Sequence, residues 1–276
     1  MRKKTKRRKS RYTSFIICLV LAVFFTLFSV CAGKFAPYDP LETDYANMLA
    51  APSSGHLFGT DQLGRDLFSR ILYGGQTSLL IAYLVTAIIS VLGILIGIVS
   101  GLAGGAVDSV IMRLVDVLMA FPGNIFVLAM VAVMGTGIQN LIIAMCFTGW
   151  TKYTRASRSL VLSIKNGDYI LQARLGGAST FKIMGTYIMP NVIPSLLVLI
   201  AQDIGGKLLA IAGLSLLGLG SKPPTPEWGF MLSEGRNYMS AAPWLLIFPG
   251  LIILINVIIF NLLGDSLRDI MDPHYK

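Results

Sequence analysis

The chain has 276 residues, of which 54% are hydrophobic and 13% charged, and its mean hydropathy is positive at +0.70. A soluble domain of this length is less apolar, so the composition excludes an ordinary soluble enzyme and indicates a membrane protein. The formal net charge of +9 does not indicate nucleic-acid binding. Its excess lies in the first eleven residues and in segments that flank apolar stretches, as membrane topology requires.

The first 32 residues combine a basic tail with an apolar run. Eight of the first eleven residues are Lys or Arg, and an apolar run covers residues 14–32. A signal peptide is the alternative, but the run of roughly twenty apolar residues exceeds the 7–15 of its apolar region. We therefore predict a cytoplasmic tail at 1–13 and an uncleaved first transmembrane helix at 14–32.

Residues 33–76 are polar, and Pro37, Pro40 and Pro52 break any long helix, so this segment is predicted to lie outside. Its last part, residues 56–74, contains glycine turns followed by a short amphipathic helix. Asp66 and Arg70 stand four apart on that helix and are expected to pair.

The second and third apolar stretches are predicted to span the membrane. The second runs from Thr77 to Leu102, and small residues recur there at four-residue intervals, which indicates close packing against another helix. They are Gly93, Gly97, Gly101 and Gly105. The third ends at Met134; within it we expect Arg113 and Asp116 to neutralise each other and Pro122 to kink the helix.

A fourth span, Ile138 to Tyr153, leads to a basic, glycine-containing loop at residues 166–190. The loop predicts one short helix, a break at Gly177, a second helix capped by Ser179, and a membrane helix that starts at Pro190. In the second piece the three- and four-residue spacing of Phe181, Met184 and Ile188 predicts an apolar face that lies on a surface or docks into a partner.

The fifth span, from Pro190 to Leu217, contains Asp203 and Lys207 one helical turn apart. Charges at this depth are costly unless paired or facing water, so they mark either a translocation path or a structural pair that orients the helix. An external, proline-rich segment follows at 218–243, interpreted as a rigid cap on the bundle, or else as a gate or a docking surface for a substrate-binding protein. Trp228 and Trp244 are expected at the membrane interface.

A sixth span begins at Trp244, so residues 77–265 form a five-helix core and residues 266–276 a cytoplasmic tail. The fold prediction is therefore all-α, with six transmembrane helices. On this topology seventeen Lys and Arg residues lie inside and five outside, which places both termini in the cytoplasm.

The 166–190 loop resembles the loop that permease subunits of ATP-binding-cassette (ABC) importers present to their ATPases. Ala173, Gly177 and Pro190 match its pattern, and the spacing fits throughout. Leu171 stands where the pattern has an acidic residue, which removes a salt bridge from that position to the ATPase. Two further positions depart, Gln172 from alanine and Tyr187 from isoleucine. The alternative to a coupling loop is an ordinary basic loop between helices, which any membrane protein can contain.

Residues 56–74 resemble the external segment of the dipeptide, oligopeptide and nickel branch of these permeases. The resemblance implies the type I ABC importer permease fold. The match of the 166–190 loop assigns ATPase coupling to Ala173, Gly177, Ala178, Ser179 and Pro190. The candidate translocation path, Asp203 and Lys207, rests instead on the cost of placing charges within a membrane helix. The resemblance also implies a second permease, two ATPase subunits and an external substrate-binding protein as partners in the cell membrane.

The chain contains no G-x-x-x-x-G-K-[ST] phosphate loop, so a partner must hydrolyse ATP, and no catalytic residue or cofactor is predicted. His56 and His274 both lie outside the spans, and Met130, Met134, Met145 and Cys146 are interpreted as core, so no metal site is predicted. Nickel, if it is the cargo, is expected to pass as a chelate; the alternative cargo is a short peptide. The rival class is an ion-coupled secondary transporter or channel subunit, which Asp203 and Lys207 would suit.

Overall fold

The protein was analysed as a computed structural model, which describes residues 2–271, with side chains described from Tyr12 onward. His274 and the Asp-Pro-His sequence around it lie outside the described residues. Within them the chain is helical, without a β-strand. The α-helices are α1 (Arg2–Val30), α2 (Ala32–Phe35), α3 (Leu67–Ala103), α4 (Gly105–Met119), α5 (Gly123–Met134), α6 (Ile138–Ile164), α7 (Asp168–Leu175), α8 (Thr180–Ile183), α9 (Met189–Leu216), α10 (Trp228–Gly235) and α11 (Trp244–Met271).

Helix α3 is a single helix of 37 residues that includes the stretch predicted as a separate external helix. Asp66 caps it, accepting hydrogen bonds from the backbone N–H and the hydroxyl of Ser69 at 2.8 and 2.7 Å. The expected Asp66–Arg70 pair is therefore wrong. A side chain in the cap position turns towards the free N–H groups of its own first turn, and Asp66 is used there.

Helix α6 packs along α3 through the glycines of the second span. A Cβ built on Gly97 would lie 2.4 Å from the carbonyl oxygen of Thr154, and one on Gly93 would lie 2.3 Å from that of Trp150. Gly101 likewise approaches Val161, whereas Gly105 has nothing within 4 Å. The packing role is confirmed for three of the four glycines, and Gly105 lies beyond the contact.

The third span is broken rather than gently kinked. α4 and α5 are bent by 82° at the three residues between them, which include Pro122. Arg113 does not pair with Asp116 as expected; Asp116 instead forms a salt bridge with Arg155 of α6. The bend exposes Phe121 at 57% of its surface.

Helix α6 continues to Ile164, well past the predicted end at Tyr153. Three of its basic side chains are paired with acids of other helices: Lys152 with Asp203, Arg155 with Asp116, and Arg158 with Asp108. Four helices in the described part of the chain are long and apolar enough to cross a membrane, or five if α4 and α5 count as one span. The predicted count of six is therefore not confirmed.

The segment predicted to be external, residues 218–243, contains a helix, α10, that packs against α9, α11 and α3. Trp228 at its start is 2% exposed, and its indole N–H donates to the carbonyl oxygen of Ile71 at 2.8 Å. The expectation that Trp228 lies at the membrane interface is wrong, because the indole fills the space left by Gly74 and Gly75 of α3.

Candidate functional site

The 166–190 loop folds as two short helices separated by a tight turn. α7 ends at Leu175, and Gly177 adopts a φ of +79°, which favours glycine. The Gly177 N–H donates to the carbonyl oxygen of Arg174, and the Ala178 N–H donates to the carbonyl oxygen of Ala173, both at 3.0 Å. This pair of bonds is the Schellman ending of a helix, and its positive φ explains the glycine at position 177.

The second helix starts at Ser179, as predicted. The Ser179 hydroxyl oxygen accepts from the Lys182 N–H at 3.3 Å, and the backbone of Ser179 is extended. α8 continues through a π-helical segment, Met184–Ile188, into α9, whose second residue is Pro190. Because Pro190 has no N–H, it is tolerated at this start of α9.

The apolar face predicted from Phe181, Met184 and Ile188 is not formed as one surface. Phe181 is 82% exposed, whereas Ile188 is fully buried. The π segment between them adds a residue to the turn and rotates everything after it, so the α-helical spacing does not hold across it. Ile170, Ile183 and Ile188 are the side chains that anchor the loop to the helices.

Three large apolar side chains of the loop are more than half exposed. They are Leu171, Leu175 and Phe181, exposed at 55%, 81% and 82%. Leu171 is thus a surface residue at the position where the family pattern places an acid. Exposed apolar side chains of this kind on an ordered pair of helices are suited to bind another protein.

Asp203 lies where α6 meets α9 and has more partners than the sequence suggested. Its carboxylate accepts from Lys152 Nζ and from the hydroxyl of Tyr153, each at 3.0 Å, and Lys207 Nζ is 3.8 Å away. The Asp203 side chain is 10% exposed and Tyr153 is fully buried. Sequence reasoning found Asp203 and Lys207 but missed Lys152 and Tyr153, which are some fifty residues away in the chain.

A second polar cluster joins α10, through Glu234, to the start of α3. Arg70, whose side chain is 1% exposed, contacts Glu234 at 2.7 Å and Asp61 at 3.3 Å. Arg65 contacts the same two carboxylates at 3.1 and 2.6 Å. The four charges balance, so this cluster holds α10 against α3.

Glu227 caps α10 from a fully buried position. Its carboxylate accepts from the N–H groups of Gly229 and Phe230 at 2.8 Å and from the hydroxyl of Ser78 at 3.2 Å. Burial raises the pKa of Glu227, and the hydrogen bonds from these groups lower it only in part.

Between residues 2 and 271 the structure brings no three His, Cys, Asp or Glu side chains close enough to hold a metal ion. These features define a multi-pass helical membrane protein with an ordered surface loop and a charged cluster between its helices. The comparisons with known proteins agree with that class.

Residues 93–276 match the family described as "Binding-protein-dependent transport system inner membrane component". The nickel transport system permease protein NikC of Escherichia coli (strain K12) is 41% identical over 258 residues, covering 94% of this chain and 93% of the relative. The glutathione transport system permease protein GsiD of Escherichia coli O6:K15:H31 is 44% identical over 263 residues, covering 95% and 85%. The dipeptide transport system permease protein DppC of Haemophilus influenzae is 36% identical over 267 residues, covering 95% and 90%.

The chain therefore belongs to this family and is a permease subunit of an ABC importer, similar to nickel, dipeptide and glutathione permeases. An inward-facing structure of the MetNI methionine ABC transporter matches with a TM-score of 0.60 at 16% identity, over 74% of this chain and 97% of that one. That likeness shows the shared permease fold.

Proposed function

We propose that the chain forms half of an ATP-driven translocation pathway, with a second, related permease forming the other half. Residues 166–190 bind the ATPase subunits in the cytoplasm, and an external binding protein delivers the substrate. Both chain termini lie in the cytoplasm, as the distribution of Lys and Arg requires.

The observation that supports this proposal most strongly is the exposure of three large apolar side chains, Leu171, Leu175 and Phe181, on an ordered loop. The buried side chains of Ile170 and Ile183 hold the loop against the membrane helices. Because α9 follows the loop without a break, a force on the loop surface is transmitted to α9. ATP binding closes the ATPase pair. The closed pair binds the loops with a different affinity, and that difference shifts the permease between inward and outward access.

The pathway side of the proposal rests on the cluster around Asp203 and Lys207. These charges lie between helices in the membrane-spanning part of the chain, where charged groups are retained mainly for function. The family assignment favours this role over an ion-coupled secondary transporter.

The substrate proposed is a metal chelate, such as a nickel chelate, or a short peptide. A bare nickel ion is disfavoured because imidazole is its preferred ligand and neither histidine lies in a membrane helix. Selectivity among such substrates then resides mainly in the external binding protein. ATP-dependent uptake of free Ni²⁺ by a complex that lacks this protein would contradict the proposal.

Gly177→Arg tests the coupling role. The φ of +79° makes any side chain with a Cβ strained there, while the space around Gly177 is open. The variant is expected to reach the membrane in normal amount but to recover at least several-fold less ATPase on purification from detergent-solubilised membranes, and to transport less.

Gly177→Asn is the matched control, because asparagine tolerates positive φ better than other side chains. It is expected to retain ATPase recovery close to that of the parent. Equal recovery of the ATPases by the Arg variant, with unchanged uptake, would overturn the coupling role of the loop.

A further inference from the structure

A cavity of about 370 Å³ lies where the break between α4 and α5 faces α6 and α9. Pro122 and Gly123 of the break form one wall, and Lys152 and Lys207 reach the cavity from the opposite helices. Its volume is within the range of protein sites for small molecules, roughly 300–1,000 Å³. The cavity is therefore large enough for a small organic molecule.

The charge of the lining is one-sided. Among the lining residues there are two lysines and no aspartate or glutamate, and the neutral polar side chains are Asn124, Thr148 and Thr151. Asp203 is not part of the lining and lies behind the two lysines. The cavity thus presents ammonium groups and amide or hydroxyl groups.

Asp203 does not neutralise both lysines. One of its oxygens is taken by Lys152 at 3.0 Å, and the other accepts from the Tyr153 hydroxyl at 3.0 Å. Lys207 Nζ, at 3.8 Å, is beyond hydrogen-bond distance from Asp203. The cluster therefore has one positive charge in excess, and Lys207, 20% exposed, keeps its N–H donors available to the cavity.

An excess positive charge that lines a cavity between helices repels cations and attracts anions. A free divalent metal ion in the cavity would face two ammonium groups without a carboxylate in the lining. A carboxylate would instead accept hydrogen bonds from Lys207 and from the neutral polar groups beside it.

We propose that Lys207, with Lys152, forms an anion-binding subsite for a carboxylate of the transported substrate. The proposal rests on the pathway role proposed above and narrows it to carboxylate-bearing cargo. That carboxylate belongs either to the C-terminus of a short peptide or to the chelator of a metal ion, and the site excludes the free ion.

The test uses the complete complex with its ATPases and binding protein, reconstituted in vesicles. Four probes are supplied: dialanine, dialanine amide, Ni²⁺ with nitrilotriacetate, and Ni²⁺ alone. The parent is expected to take up dialanine or the nickel chelate at least about ten-fold faster than the matching probe without a carboxylate, as loss of a charged hydrogen bond predicts. Which of the two is taken up identifies the source of the carboxylate.

Lys207→Gln is expected to reduce that preference to within about three-fold, and Lys207→Arg, which keeps the positive charge, to restore it. Lys34→Gln, at an exposed lysine of α2, is the control that keeps uptake unchanged. The proposal is overturned if Lys207→Gln keeps the preference, if the Gln and Arg variants fail equally, or if the parent transports only Ni²⁺ alone or neither carboxylate probe. Failure of ATPases to copurify with the parent would instead contradict the proposed function itself.

Discussion

The packing of α6 against Gly97 of α3 provides a prediction whose size follows from the structure. Gly97→Ala would place a Cβ 2.4 Å from the Thr154 carbonyl oxygen and 1.9 Å from the Ser157 hydroxyl oxygen. Carbon and oxygen normally approach to about 3.3 Å. The Ser157 side chain can rotate away, but Thr154 O belongs to the backbone, so α6 itself has to move by close to 1 Å.

That movement has a cost with two parts. Overpacking of this kind costs about 1–3 kcal/mol. The hydrogen bond from the Thr154 hydroxyl to the Gly93 carbonyl oxygen, now 3.0 Å, is weakened, at about 1 kcal/mol. We expect a total near 3 kcal/mol, and since α6 also holds Lys152 and Tyr153 against Asp203, transport is expected to fall as well.

The assay is thermal unfolding of the purified subunit in mild detergent. The readout is the amount of protein that remains monodisperse after heating. For a chain of this size a loss near 3 kcal/mol lowers Tm by about 5–10 °C. Gly213→Ala, in α9 with nothing within 4 Å of the added Cβ, is the control and is expected to be as stable as the parent or slightly more so. A Tm for Gly97→Ala equal to that of Gly213→Ala would refute the packing argument.

Three further predictions concern buried or half-buried charges. Glu227→Gln tests pH dependence: burial raises the pKa of Glu227 above its ordinary 4.5, so the folded protein takes up a proton between the two values and its stability falls as pH rises through the folded pKa. The stability of the parent relative to the Gln variant should therefore increase as pH is lowered towards 4.5, and a difference independent of pH would contradict this. Glu234→Gln should destabilise the subunit by about 2 kcal/mol in the same assay, less than the roughly 3–5 of a fully unpaired buried charge because Asp61 still contacts Arg70; an unchanged Tm would show that the cluster does not hold α10. Asp108→Asn should loosen α4 from α6 by removing the two bonds from Arg158 at 2.5 and 2.6 Å, seen as faster proteolysis between α3 and α5, and an unchanged cleavage rate would count against it.

The sequence predicted well what depends on neighbours along one helix. Gly93, Gly97 and Gly101 recur at the interval that one face of a helix requires, and the structure places that face against α6. The turn at Gly177 and the cap at Ser179 are likewise local, because each is set by residues within one turn. The capping role of Asp66 had a local signal too, in Ser69 three residues on, but the more familiar four-residue spacing to Arg70 obscured it.

What depends on distant partners could not be read from spacing. Arg113 was paired with Asp116 because the two lie one turn apart, yet Arg155 from another helix reaches Asp116 instead. The same holds for Lys152, which no spacing along the chain links to Asp203, although the two side chains are 3.0 Å apart. A charge in a membrane helix is tolerated when a partner is present, and that partner can be identified only once the fold is known.

The claim that residues 166–190 bind the ATPase is tested most directly by photo-crosslinking. A photoreactive phenylalanine analogue is placed at Phe181, which is 82% exposed on the loop, and in a matched variant at Phe35, which is 53% exposed on the segment predicted to lie outside. After irradiation of intact membranes, the account predicts that the Phe181 variant is joined to an ATPase subunit and the Phe35 variant is not. Capture of the ATPase from Phe35, or from neither position when the complex copurifies intact, would contradict it.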